Sequence, residues 1–370
     1  MSDATETLAI TPLNALHREL GGKLVPFAGY EMPVQFPAGI LKEHCHTRSK
    51  AGLFDVSHMG QVRLRGPGAA AALEALVPGD IQGIAPGRIR YTLLLNAKGG
   101  ILDDLMVTNA GDHLFLVVNA GCKHGDIAHL RRELPQTIAI EYLEDRALLA
   151  LQGPDAAAVL ARFIPTAAGM PFMSYAEAEF LGIPVLLTRS GYTGEDGYEI
   201  SVANDRAEEL ARRLLAEPEV EPIGLGARDS LRLEAGLCLY GHEIDETTTL
   251  VEANLGWVLG KRRRAEGGFP GYDIVREQLD TGVARRRVGI RPDGKAPARD
   301  GTEIIDGSGR RIGIITSGGF GPTVGGPVAM GYVETAFAAP GTLVTLLIRG
   351  KTHPARIAAL PFVKQNYYRG

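Results

Sequence analysis

The chain has 370 residues, 45% of them hydrophobic and 22% charged, with a formal net charge of −4. That length exceeds one core and predicts two or three domains, while the balance excludes a disordered chain and a general nucleic-acid surface. Three widely spaced cysteines, Cys45, Cys122 and Cys238, exclude a disulfide framework and suit a reducing compartment. The acidic start MSDATETLAI lacks the basic residues of a leader, and no run of 18 apolar residues is present, so a cytoplasmic protein without a membrane span is expected.

Residues 11–20 (TPLNALHREL) predict a helix capped by Thr11, with Pro12 at its first position. Residues 37–52 predict a second helix, stopped by Gly52. The alternation of FDVSHMGQVRLRG (54–66) reads as a strand. An internal echo follows. LRGPGAAAALEALVP (64–78) and LQGPDAAAVLARFIP (151–165) align without gaps and match at eight of fifteen positions. Each reads as strand end, Gly-Pro turn, Ala-rich helix and Pro stop, which points to two related α+β units. Between them come strand-like runs at 88–96, 100–109, 113–120 and 138–143, and a helix at 122–134. Residues 183–202 read as two strands about a long turn, and 205–217 as a helix. After a Gly- and charge-rich stretch at 260–271, short strands with Gly/Pro turns predict an all-β C-terminal domain, barrel or sandwich.

Several stretches invite chemistry. His44, Cys45 and His46 in EHCHTR suggest a metal, but residues two apart on a helix do not face one another and no second pair completes a site, so none is expected. SGGFGPTVGG (317–326) lacks the ending of a phosphate loop and reads as turns. No nucleophile signature is present. The loop SGYTGEDGYEI (190–200) carries Tyr192, Glu195, Asp196 and Glu199; a solvated turn accounts for Glu195 but not for Glu199, inside the following strand. GLGARDSLRLEAG (224–236) sets Arg228 and Asp229 at a helix entry, where Asp229 reads as a cap. GGILDDL (99–105) sets Asp103 and Asp104 in an apolar strand, so one of the two must face inward. Scattered acids and arginines among aromatic residues suit a flat polar heterocycle with an anionic tail.

FAGYEMP (27–33), AGLFDVSHMG (51–60), GGILDDL, QGP (152–154), SGYTGEDGYE and GLGARDSLRLEAG, in that order, closely resemble the aminomethyltransferases, the T-proteins of the glycine cleavage system. The resemblance runs from about residue 10 to the C-terminal NYYR, with Tyr30 where many members carry Trp. It implies an α+β fold of three domains in a cloverleaf around a central folate channel. These would be 1–54 plus 146–260 as a discontinuous folate-binding domain, 55–145 as a middle domain and 282–370 as a β-barrel or jelly roll, with 261–281 as linker. The implied reaction moves a methylene carbon from an aminomethyl-lipoyl H-protein to tetrahydrofolate, a co-substrate, and releases ammonia; no metal, nucleic acid or membrane partner is implied. By the same resemblance Asp104 is the catalytic residue and Asp103, on the opposite face, structural or solvated. Glu199 reads the pterin, Tyr192 lines the channel, Arg228 and Tyr367 contact folate, Met59 and Tyr91 form walls, and Arg369 matches only some relatives. The basic runs KRRR (261–264) and RRR (285–287) are candidates for steering an acidic carrier. The alternative reading is a non-catalytic folate-binding scaffold related to iron–sulfur assembly proteins, against which the GGILDDL stretch argues. A fused flavin dehydrogenase would need a dinucleotide fingerprint that is lacking.

Overall fold

The computed structural model describes residues 7–370; the first six residues, part of the acidic start on which the cytoplasmic expectation leaned, lie outside them. The described residues form two compact units, one made of those up to 61, 142–229 and 367–370, the other of 62–141 and 230–366.

In the first unit a sheet runs in the order Val220–Ile223, Ala51–Asp55, Arg146–Gln152, Gly197–Ala203, Ile183–Arg189, Ser174–Phe180. The first pair is parallel and the others antiparallel. Leu149, Leu151, Val185, Leu187, Ile200 and Val202 fill its core. The helix Asn204–Leu215 covers them with Ala207, Leu210, Ala211 and Leu214, a stripe at helical spacing that is wholly buried. Two local expectations fail here. The first helix is Asn14–Glu19 with Leu13 as its cap residue, because the Thr11 hydroxyl is recruited by Asp55, donating to Oδ2 at 2.6 Å. Gly52 does not stop the second helix, which ends at Ser49; it lies within the strand Ala51–Asp55, where an added Cβ would stand 2.6 Å from Ile223 and Thr47.

In the second unit the order is Arg88–Leu95, Ile101–Asn109, Leu114–Val118, Gly60–Arg65, Ala139–Tyr142, with the helix Lys123–Glu133. The stretch 54–66 is therefore two strand pieces with a turn at 56–59, not one strand. Residues 260–281 hold the helices Lys261–Glu266 and Tyr272–Thr281. Six strands then close into a barrel in the order Arg285–Pro292, Gly326–Glu334, Arg311–Gly321, Glu303–Ile305, Leu343–Ile348, Lys351–Ala358. Val288, Ile290, Ile304, Ile315, Val333, Leu346 and Ile357 fill it.

The sequence echo has a structural counterpart. Strand Gly60–Arg65 leads to helix Ala69–Glu74, and strand Arg146–Gln152 to helix Ala156–Ala161. Both turn glycines take a positive φ, 138° at Gly66 and 129° at Gly153. At each, a Cβ would meet a backbone carbonyl, Thr137 O at 2.3 Å and Lys50 O at 2.1 Å. Only glycine satisfies both conditions. The prolines sit two residues ahead of each helix rather than at its first position.

Candidate functional site

The strand Ile101–Asn109 alternates as its pleat requires: Ile101, Asp103, Leu105 and Val107 are buried, while Leu102, Asp104 and Met106 are half-buried. Asp103 and Asp104 do take opposite faces, but Asp103 is 0% exposed, which rules out the solvated alternative for it. The antiparallel ladder that pairs Leu105 with Val118 carries the chain one step further, setting Asn119 across from Asp104 just past the strand Leu114–Val118. Asn119 then serves both acids. Its backbone N–H donates to Asp103 Oδ2 (3.0 Å), and its Nδ2 to Asp103 Oδ1 (2.8 Å) and Asp104 Oδ1 (2.7 Å).

Asp104 also accepts a hydrogen bond from Tyr91. Withdrawal from water and the neighbouring Asp103 charge push its carboxyl up to about 7, against the opposing pull of Tyr91 and Asn119. It can therefore hold or release a proton near neutrality, which an ordinary aspartate cannot. Tyr91 in turn stacks on the exposed Trp257, ring centroids 5.4 Å apart. Asn119, Asp126 and Trp257 are residues that sequence reasoning passed over; an asparagine ending the buried run LFLVV was the available signal for the first.

The remaining candidates lie in the first unit. Glu199, half-buried on the strand Gly197–Ala203, stands opposite Thr188 and Ala150. Ser190 Oγ donates to it at 3.4 Å. Burial lifts its carboxyl, while Arg228 and the Ser190 bond oppose the rise. Arg228, on the helix Leu225–Glu234, places its guanidinium 4.7 Å from the Tyr192 ring centroid. Asp229 lies inside that helix and does not cap it. Glu199, Arg228 and Tyr192 thus stand together, with the guanidinium near both the carboxyl and the ring.

Gln152, buried beneath the loop, explains why the loop holds its shape. Its Nε2 donates to Ser190 O (2.9 Å) and its Oε1 accepts from the Thr193 hydroxyl (3.0 Å). Glu195 is not a solvated turn residue: it is 4% exposed and accepts from Arg48 Nη1 at 2.9 Å. Asp196 pairs with buried Arg189 at 2.5 Å. The tail joins the same region. Tyr367 stacks on Phe172 with centroids 4.0 Å apart and 5° between the planes, and Arg189 lies over the Tyr368 ring at 4.3 Å. Arg369 is exposed and Met59 half-buried, on the turn after Val56. His46 is used structurally, donating from Nε2 toward Ala51 O and Glu219 O.

The basic runs are largely consumed inside the second unit. Arg262 bonds Glu74 (2.7 Å) and Asp80 (2.6 Å), Arg263 the carbonyls of Glu74 and Val77, and Arg287 those of Ala253 and Gly236. These bonds brace the fold, while Lys261 and Arg264 stay exposed.

With this geometry in view, the comparisons agree with one another. Residues 13–263 match the family described as the GCVT N-terminal domain, and 285–364 the glycine cleavage T-protein C-terminal barrel domain. A mitochondrial aminomethyltransferase of Dictyostelium discoideum is 46% identical, over 98% of this chain and 94% of that protein. That of Gallus gallus is 48% identical, over 100% and 96%. The crystal structure of the glycine cleavage system aminomethyltransferase T from Bartonella henselae superposes with a TM-score of 0.94 at 45% identity, covering 98% of this chain and all of that one. The names of the first two relatives correct the cytoplasmic expectation, since they are mitochondrial. Free thiols report a reducing compartment and do not distinguish one such compartment from another. With both its regions matched to the family's models and its length to aminomethyltransferases, the chain belongs to the aminomethyltransferases, the T-proteins of the glycine cleavage system, and is an enzyme of that class.

Proposed function

We propose that the co-substrate is tetrahydrofolate and the donor a lipoylated carrier, the H-protein, bearing an aminomethyl group on sulfur. Two folate nitrogens take over the methylene carbon; its bonds to sulfur and to the amine break, leaving a thiol, ammonia and 5,10-methylenetetrahydrofolate. Both N–H protons must leave the folate, one ending on sulfur and one on the amine. Asp104 is the residue that manages them, as acceptor from the attacking nitrogen. The observation that carries this reading is a carboxyl lifted to about 7 and held by Tyr91 and Asn119.

Glu199 supplies the carboxylate that accepts paired hydrogen bonds from an aminopyrimidinone edge, a geometry guanidinium-like N–H pairs favour. Arg228 and Tyr192 offer a cation and a ring to the same ligand, with Tyr367 and Arg369 from the tail, and Met59 and Tyr91 as apolar walls. The test is carrier-dependent formation of methylenetetrahydrofolate and ammonia by the purified protein. Absence of product with a loaded carrier and folate would refute the reading.

A further inference from the structure

Asp126 lies in the first turn of the helix Lys123–Glu133 and is 4% exposed. Its Oδ2 is fully enclosed and meets no hydrogen-bond donor. Its neighbour is Asp103, also enclosed, and the two carboxyls are hydrogen-bonded to each other. Two carboxylates cannot share such a bond; a single proton converts their repulsion into O–H···O⁻. Asp103 is the member suited to stay ionised, because Asn119 donates to both its oxygens and the Cys122 thiol donates as well. Asp126 lacks such donors and is the member suited to carry the proton. The line continues through one amide group, since Asn119 Nδ2 reaches Asp103 and Asp104 alike.

We propose that Asp126 is a positioning residue: it holds a proton against Asp103, and through Asp103 and the shared Asn119 amide that proton sets how the Asp104 carboxylate is presented. The proposal rests on the reading of Asp104 given above. Burial and the charges of Asp103 and Asp104 push Asp126 up to about 9, in the same sense as the geometry. The other titratable groups around the cluster are Tyr91 on the adjacent strand, Cys122 and buried Lys123 at the helix start, and Cys238 and Tyr240 just past the helix Leu225–Glu234. Cys122, Cys238 and Tyr240 are themselves driven upward by burial and these acids, so they stay protonated and add no negative charge.

The test uses the full-length protein with Asp126→Asn, Asp126→Ala, Asp103→Asn and Asp104→Asn. Infrared spectra at mildly alkaline pH should show the C=O stretch of a protonated buried carboxyl in the wild type and in Asp104→Asn. That band should vanish in Asp126→Asn. In the carrier-dependent assay Asp126→Ala should lower kcat with the folate KM kept, and move the midpoint of the pH–rate limb upward by about one unit, as Asp103 loses its donor. Asp126→Asn, whose amide can still donate, should recover most of that loss. No protonated carboxyl in the wild type, or a band that survives Asp126→Asn, would overturn the proposal. If the band behaves as expected but Asp104→Asn turns over normally, the reading of Asp104 fails while the held proton stands.

Discussion

Asp104→Asn keeps the side chain's outline but removes the group that titrates near neutrality. A positioned acid–base residue contributes about 10²–10⁴ in rate, roughly 3–5 kcal/mol of barrier, and kcat should fall by that factor with little change in the folate KM. The fold should not suffer. A carboxyl raised from 3.8 to about 7 retains its proton in the native state where the unfolded chain has released it. Stability therefore falls as pH rises between those two values and is flat above them. At 1.36 kcal/mol per unit the fall is at most about 4 kcal/mol, and less because solvent reaches part of the side chain. The variant lacks this fall and should be the more stable protein at mildly alkaline pH. Denaturant midpoints across that window, paired with kcat against pH, read both effects. The wild-type rate should rise with a midpoint near 7 and the variant's residual rate should be level. Wild-type turnover in a folded variant would refute the assignment, as would a wild-type profile without that limb.

Other consequences are as direct. Glu199→Ala should raise the folate KM by about 10- to 150-fold, the worth of a charge-assisted hydrogen bond of about 1.5–3 kcal/mol, with kcat at saturation largely kept; a KM within twofold of wild type would remove Glu199 from the binding group. Asp196→Ala leaves the buried Arg189 guanidinium without its carboxylate and should cost about 3–5 kcal/mol in urea unfolding. Gly66→Ala and Gly153→Ala should each cost more than about 2 kcal/mol, since a Cβ at either place meets a carbonyl oxygen; a neutral result would contradict the turn geometry. Arg262→Ala should lower the melting temperature and leave the salt dependence of the carrier reaction unchanged, because its partners are Glu74 and Asp80.

Features with a local steric cause were the legible ones. The Gly-Pro echo survives as a repeat because the turn admits no Cβ at either copy, so it can be read from fifteen residues. The Asp103–Asp104 pair stood out only as an anomaly in an apolar strand. Its surroundings are supplied by Asn119 and Asp126, which reach it through strand register and helix packing across sixteen and twenty-three residues of chain. Thr11 leaves its expected capping role for the same reason: a hydroxyl with the right spacing for a cap finds a better acceptor 44 residues away. Gly52 shows that a glycine after a helical pattern can mark crowding rather than an end.

The strand Ala51–Asp55 has neighbours remote in sequence on both sides, residues 149–152 and 220–223. Such non-local pairing makes folding slow, because long loops must close before any ladder bond repays their entropy. During synthesis this apolar segment waits for more than a hundred and fifty residues before its sheet can be completed, and a nascent chain halted in that interval displays a bare strand to whatever binds one. Expression at reduced temperature or with abundant holdase chaperones should accordingly raise soluble yield far more than any surface substitution.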